Sequence, residues 1–211
     1  MEHCLKYWIK VNLNCGRISW YWLKLVLNGG GYFVEIGATD GYTLSNSFLL
    51  EQEFGWIGIL VEPGRAWGTG INYKRPRSLI STECVWDKSN QSLSFIETKD
   101  PEYSTTQINW NKSFYSGSKL VNQYEVKTIS LIDLLINNKA PEYIDYLSID
   151  TEGSELRIME AFDFSKFSFG IISIEHNYGK NRELIYNLLT NVGYKRRFEN
   201  ISQWDDWYFQ K

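Results

Sequence analysis

The chain has 211 residues, 43% of them hydrophobic and 22% charged, with a formal net charge of −3 at pH 7. That length supports one domain with a sizeable core, and the composition excludes a disordered or low-complexity chain. The charge balance argues against a protein that grips nucleic acid through its phosphates, and the short basic stretches Lys74-Arg75-Pro76-Arg77 and Lys195-Arg196-Arg197 read as solvated surface.

Residues 3–27 lack Pro and carry bulky groups at Leu5, Trp8, Ile9, Leu13, Trp20, Leu23 and Leu27. The spacing suits one or two amphipathic helices, an N-terminal extension over residues 1–28. No stretch approaches the roughly 20 apolar residues of a spanning helix, and no basic-apolar-small leader pattern is present. The expectation is therefore no membrane span and a cytoplasmic location. Cys4, Cys15 and Cys84 have neither disulfide nor zinc spacing.

Asn28-Gly29-Gly30-Gly31 ends the extension, and the domain proper is expected over 29–211. Tyr32–Ile36 reads as a buried strand, 44–54 as a helix, Trp56–Val61 as a second strand and Ser78–Val85 as a third. The polar stretch 87–123 breaks this rhythm and reads as a short hairpin plus a long surface loop, with 98–123 the expected acceptor loop. Alternation then resumes: a helix at Ser130–Asn137, a strand at Tyr143–Ile149, a helix at Ser154–Ala161 and a strand at Phe169–Ile174. A helix at Asn181–Val192 follows, then two extended stretches, Tyr194–Phe198 and Gln203–Phe209, able to form an antiparallel hairpin. Strands alternating with helices predict an α/β fold with a mostly parallel sheet covered on both faces. Ligands of such sheets bind at the carboxyl ends of the strands, and here several strands end in acids.

The first candidate is Glu35-Ile36-Gly37-Ala38-Thr39-Asp40-Gly41, between a strand and a helix. Its G-x-x-x-G spacing is not the G-x-G-x-x-G of a dinucleotide fold. Glu35 and Asp40 beside the loop disfavour phosphate and suit a cationic ligand such as S-adenosylmethionine. Glu62 ends the second strand and can accept both ribose hydroxyls. Asp150 emerges after the apolar strand Tyr146–Ile149, followed by Thr151, Glu152 and Gly153. Glu175-His176-Asn177 follows the next strand, and His176 is the one histidine placed to act as base or ligand.

These motifs resemble the FkbM family of methyltransferases. The residues carrying the resemblance are Phe33–Gly41 (FVEIGATDG), Ser45-Asn46, Gly58–Pro63 (GILVEP), Val126–Leu135 (VKTISLIDLL), Ile144–Leu156 (IDYLSIDTEGSEL) and Ile172–Asn177 (ISIEHN). Gly193-Tyr194 and Asp205-Asp206-Trp207-Tyr208 also fit. The resemblance implies a Rossmann-like class I methyltransferase with a mostly parallel seven-stranded sheet and an antiparallel C-terminal strand. It implies S-adenosylmethionine as cofactor, held by Glu35, Gly37, Ala38, Thr39, Asp40, Gly41, Ser45, Asn46, Glu62, Pro63, Cys84, Val85 and Asp150. Its implied reaction is O-methylation of a hydroxyl, on a sugar or glycan.

Two versions of the chemistry are open. In one, Asp150, Glu152 or His176 takes the hydroxyl proton. In the other, Asp150, Glu175 and His176 or Asn177 hold a divalent ion (Mg²⁺ or Mn²⁺) that acidifies the hydroxyl. For the acceptor, Trp110, Tyr115 and Trp207 offer flat faces for a sugar ring, and Asn177, Asp205 and Asp206 offer hydrogen bonds to its hydroxyls. The rival readings are a small NAD-binding oxidoreductase and a carbohydrate-binding or scaffold module on a degenerate methyltransferase fold. The chain's size leaves open that it works inside a larger glycan-modifying polypeptide.

Overall fold

The computed structural model describes residues 29–68, 70–110, 119–200 and 202–211. The expected N-terminal helices, with Cys4 and Cys15, lie outside them, as does Tyr115.

Largely apolar runs without Pro build the main strands: β1 (Tyr32–Ile36), β2 (Ile57–Val61), β8 (Tyr143–Ile149) and β9 (Ser168–Glu175). Each is buried along most of its length, as strands covered on both faces must be. With β3 (Ser78–Ser81), β10 (Tyr194–Arg197) and β11 (Asp205–Gln210) they form a seven-stranded sheet in the order β10-β11-β9-β8-β1-β2-β3. The pairs among β3, β2, β1, β8 and β9 are parallel, and β11 runs antiparallel between β9 and β10. This is the expected mostly parallel sheet, with the antiparallel strand supplied by the C-terminal hairpin.

Period-2 alternation sorts side chains onto two faces. Val34, Ile36, Ile59, Val61, Ile172 and Ile174 face the larger core, against α4 (Leu131–Asn137), α5 (Glu155–Glu160) and α6 (Asn181–Asn191). Phe33, Leu60, Tyr146, Ile171 and Phe209 face a smaller one, against Leu50 of α1 (Phe48–Phe54) and Ile71 of α2 (Gly70–Lys74). Glu35, Ser148 and Ser173 are buried on these strands near their carboxyl ends.

Three expectations change. The strand expected at 78–85 is broken: β3 belongs to the main sheet, whereas β4 (Cys84–Trp86) starts a second one. That second sheet, β4-β7-β5-β6, is built from the stretch expected to be mostly loop. β5 (Ser92–Thr98) pairs antiparallel with the long β7 (Leu120–Ser130), and the short β6 (Thr105–Thr106) flanks β5. Between β6 and β7 lies one turn of helix, α3 (Gln107–Trp110), and the expected acceptor loop narrows to what joins these elements. The helix expected from 44 begins only at Phe48, because Leu44 is left-handed at φ +62° and Ser45 Oγ and Asn46 N bond to Glu35.

Candidate active site

The loop after β1 turns sharply. Gly37 has φ +88°, and a Cβ there would lie 1.8 Å from the Asp150 carbonyl oxygen, so only glycine allows the ends of β1 and β8 to approach. The amides of Gly37 and Ala38 donate to Val61 O at 2.9 and 3.1 Å, and that of Thr39 to Glu62 Oε2 at 2.9 Å. Gly41 N donates to Ala38 O, and Tyr42 N and Thr43 N donate to Asp40 Oδ1. Donors committed inward form no nest for a pyrophosphate, which counts against the dinucleotide reading.

Two loop acids serve differently from expectation. Glu35 is 3% exposed. Its carboxylate accepts from the Ser45 hydroxyl at 2.8 Å, Asn46 N at 2.7 Å and the Ser47 hydroxyl, and the Arg75 guanidinium stands 3.8 Å away. Asp40 pairs with Lys74 Nζ at 2.8 Å. Neither presents a free anion to a cationic ligand: Glu35 holds the loop together and Asp40 caps its turn. Asn46 Nδ2 reaches Ser148 Oγ at 3.0 Å and so ties the loop to β8.

Glu62 does sit at the end of β2, half-buried. Its oxygens accept from Thr39 N and from Gly64 N at 2.7 Å, leaving lone pairs for a ligand. Burial pushes its pKa up to about 7, with the negative charge of Asp150 and Glu97 adding to the rise. Pro63 O lies 3.5 Å from the Tyr124 hydroxyl, which donates to the buried Glu97. The Cys84 thiol, packed with Phe95, Tyr124 and Val126, is pushed up to about 12 by burial and by Glu62. The Val85 side chain belongs to the main core instead.

The second centre is acidic. Asp150, Glu152 and Glu175 bring carboxylate oxygens within 4.8 Å of one another. The sheet places Asp150 and Glu175 at the ends of neighbouring strands, and Glu152 is turned inward by a left-handed backbone, φ +56°. Glu155 shapes this loop: one of its oxygens accepts from Thr151 N, Thr151 Oγ1 and Gly153 N at 2.8–3.0 Å. Burial raises Asp150 to about 7, a hydrogen bond with Glu175 opposing the rise and Asp205, Glu155 and Glu35 adding to it; burial raises Glu152 to about 8 and Glu175 further, with the charge of Asp150 adding to both. The group therefore holds shared protons near neutrality and titrates as a unit. Asp205 pairs with Glu175 in register and is itself raised to about 6, by burial and then by Asp206.

His176 does not join this group. Its side chain is 2% exposed, its Nδ1 accepts from Tyr178 N at 3.0 Å, and its Nε2 faces Asp206 Oδ1 at 3.8 Å. Burial lowers its pKa, so it stays neutral and scaffolds the loop after β9 rather than serving as base or ligand. Asp206 is also removed from acceptor binding: it is 2% exposed and bridged by Arg182 at 2.7 and 2.8 Å and by Arg196 at 3.2 Å. Trp207 packs with Phe198 against the smaller core. Asn177 is half-buried with φ +42°, and Trp110 is half-buried at the end of α3.

Contacts that the sequence did not announce bring the second sheet to the acidic loop. Thr105 Oγ1 donates to Glu152 O at 3.1 Å, and Asn109 Nδ2 to Ser154 Oγ at 2.8 Å. The Tyr103 hydroxyl is raised by burial and by the charges of Glu102, Glu152, Asp100 and Glu175. Thr, Asn and Tyr in a polar stretch carry no pattern that distinguishes these contacts from a solvated loop.

The open α/β sheet with this strand order, the glycine turn without a phosphate nest and the grouped carboxylates at the adjoining strand ends form the Rossmann-like arrangement expected from the sequence. A sequence model of the FkbM methyltransferase domain matches residues 35–204, and the chain belongs to that family, whose members use S-adenosylmethionine. The fold is similar to the crystal structure of precorrin-6y C5,15-methyltransferase from Geobacter metallireducens, with 11% identity over 87% of this chain and 81% of that one, at a TM-score of 0.43. No curated protein matches the sequence.

Proposed function

We propose that this methyltransferase acts on a hydroxyl oxygen of a sugar or glycan. The observation that carries the reading is the group Asp150, Glu152 and Glu175, whose raised pKa values suit proton removal near neutral pH. S-adenosylmethionine supplies an activated methyl group, and an aliphatic hydroxyl must lose its proton as it attacks. Asp150, nearest the glycine turn through its carbonyl, is assigned as the base, with Glu152 and Glu175 sharing the proton it receives. The three side chains also form an all-oxygen donor set of the kind Mg²⁺ or Mn²⁺ takes, and an ion held there would lower the pKa of an acceptor hydroxyl.

The flat faces assigned to a sugar ring combine the expected Trp110 and the C-terminal Trp204 with Tyr178 and Tyr103. Tyr178 and Trp204, 64% and 53% exposed, meet edge to face at 5.7 Å beyond the ends of β9 and β11. The backbone joins their supports, His176 N donating to Trp204 O at 2.8 Å. With Tyr103 and Trp110 on the second sheet's side, they are assigned to the acceptor.

The test is methyl transfer from labelled S-adenosylmethionine to a panel of mono- and oligosaccharides, with the product mapped by NMR and the assay repeated in EDTA. A methyl ether is expected. A methyl group found on nitrogen or carbon overturns the reading, and full activity in EDTA removes the metal ion from it.

A further inference from the structure

Arg75 lies in the basic run that reads as solvated surface, yet its side chain is fully buried. It leaves the end of α2, outside every motif that carries the family resemblance, and reaches the loop after β1. Nε donates to Glu51 Oε2 at 2.9 Å, Nη1 to Gly41 O at 3.1 Å and Ser45 Oγ at 2.9 Å, and Nη2 to Ser47 Oγ at 2.8 Å. Both serine hydroxyls donate onward to Glu35 Oε2. Two serines thus sit between a buried cation and a buried anion, which fixes the direction of their protons. The arginine stem lies against the turn itself: a Cβ on Gly41 would be 2.9 Å from Arg75 Cγ.

This loop does not hold its shape by regular structure. Gly37, Thr39, Gly41 and Leu44 all have positive φ, and left-handed backbone at non-glycine residues persists only where the surroundings impose it. For stability alone, apolar residues of similar volume often serve as well as a buried ion pair. The fork geometry of a guanidinium, by contrast, can hold a carbonyl, two hydroxyls and a carboxylate in fixed relation.

We infer that Arg75 is a positioning residue for the cofactor, setting the 37–47 loop in the shape that receives S-adenosylmethionine through Ser45, Ser47 and Glu35 without touching the ligand. The inference rests on the cofactor reading of that loop. Glu51 binds the far edge of the same guanidinium and belongs to α1, also bonding Arg77 N at 3.1 Å, so it separates a positioning role from general cohesion.

The probe is S-adenosylhomocysteine, titrated calorimetrically into the full chain, with a thermal midpoint recorded for each variant. Arg75→Lys keeps the charge and loses the fork, and Ser45→Ala removes one relay. Each is expected to weaken binding about tenfold, the scale of one buried hydrogen bond to a charged group. Glu51→Gln is expected to lower the midpoint while leaving affinity within about twofold, below the scale of one such bond. Wild-type affinity in both Arg75→Lys and Ser45→Ala overturns the inference, as does an equal loss in Glu51→Gln. Should Arg75→Lys not fold, the Ser45→Ala affinity decides alone. A wild-type protein that binds no S-adenosylhomocysteine overturns the cofactor reading itself, and the inference with it.

Discussion

At the scale of single residues, the acidic group separates binding from chemistry. Asp150→Asn removes the assigned base while keeping size and the backbone contacts to β1. Turnover is expected to fall by about 10²–10⁴, the range of general base catalysis, with S-adenosylhomocysteine affinity nearly unchanged; wild-type turnover would remove Asp150 from the role. The raised pKa values also set a pH dependence. A base near 7 is half ionised there, so the rate should climb from pH 6 to 8. Stability runs the other way. Between the ordinary carboxylate range and about 7 the folded state holds protons that the unfolded state has released, so stability falls as pH rises through that window. The thermal midpoint should be lower at pH 8 than at pH 5.5, and Asp150→Asn should shrink the difference. Glu62 makes the opposite kind of contribution: Glu62→Ala should cost on the order of 1.5–3 kcal/mol of cofactor affinity with little change in turnover at saturation, as calorimetry and a kcat/KM comparison would show.

At the scale of elements, β6 and α3 roof the acidic loop through Thr105 and Asn109. Replacing both with Ala frees the loop carrying Glu152 without touching the glycine turn. Acceptor KM should rise about tenfold, the value of roughly one buried hydrogen bond, while S-adenosylhomocysteine binding stays constant; a change in cofactor binding alone would mean the roof serves the wrong site. The same elements show where sequence is legible. β8 and β9 announce themselves as apolar runs because both their faces are buried, and Asp150 and Glu175 are legible as the polar residues that end them. β7 is exposed over its first half, so its polar residues read as loop. Ser45 and Asn46 look like helix-starting residues, but Glu35 and Ser148, distant in sequence, recruit them and delay the helix. Arg75 looks solvated beside Lys74 and Arg77, and its burial is decided by partners brought from β1, its loop and α1. Tertiary partners, not local preference, account for each of these departures.

At the scale of the whole molecule, the sheet must accept β11 antiparallel between two strands that run the other way, and a buried charge cluster marks that insertion. Asp206 on β11 takes Arg182 from α6 and Arg196 from β10, and His176, from the loop after β9, faces it at 3.8 Å. Four segments therefore converge on one carboxylate. Burial works against its charge, but the arginines outweigh burial and hold its pKa below the usual carboxylate range. Its stabilisation is present at neutral pH and is lost as the pH falls through that depressed value. Asp206→Ala leaves two arginines facing each other without their anion. Breaking a buried pair in this way costs about 3 kcal/mol, at the lower end of such effects because both arginines keep some contact with water. Chemical denaturation should show that loss, while the folded fraction retains cofactor affinity and turnover, since the Asp206 carboxylate is engaged by Arg182, Arg196 and His176 and not by Asp150, Glu152 or Glu175. Loss of turnover without loss of stability would return Asp206 to the acceptor site. A variant that is unstable but active would show that the carboxyl ends of β8 and β9 carry the chemistry while this neighbouring edge carries the fold.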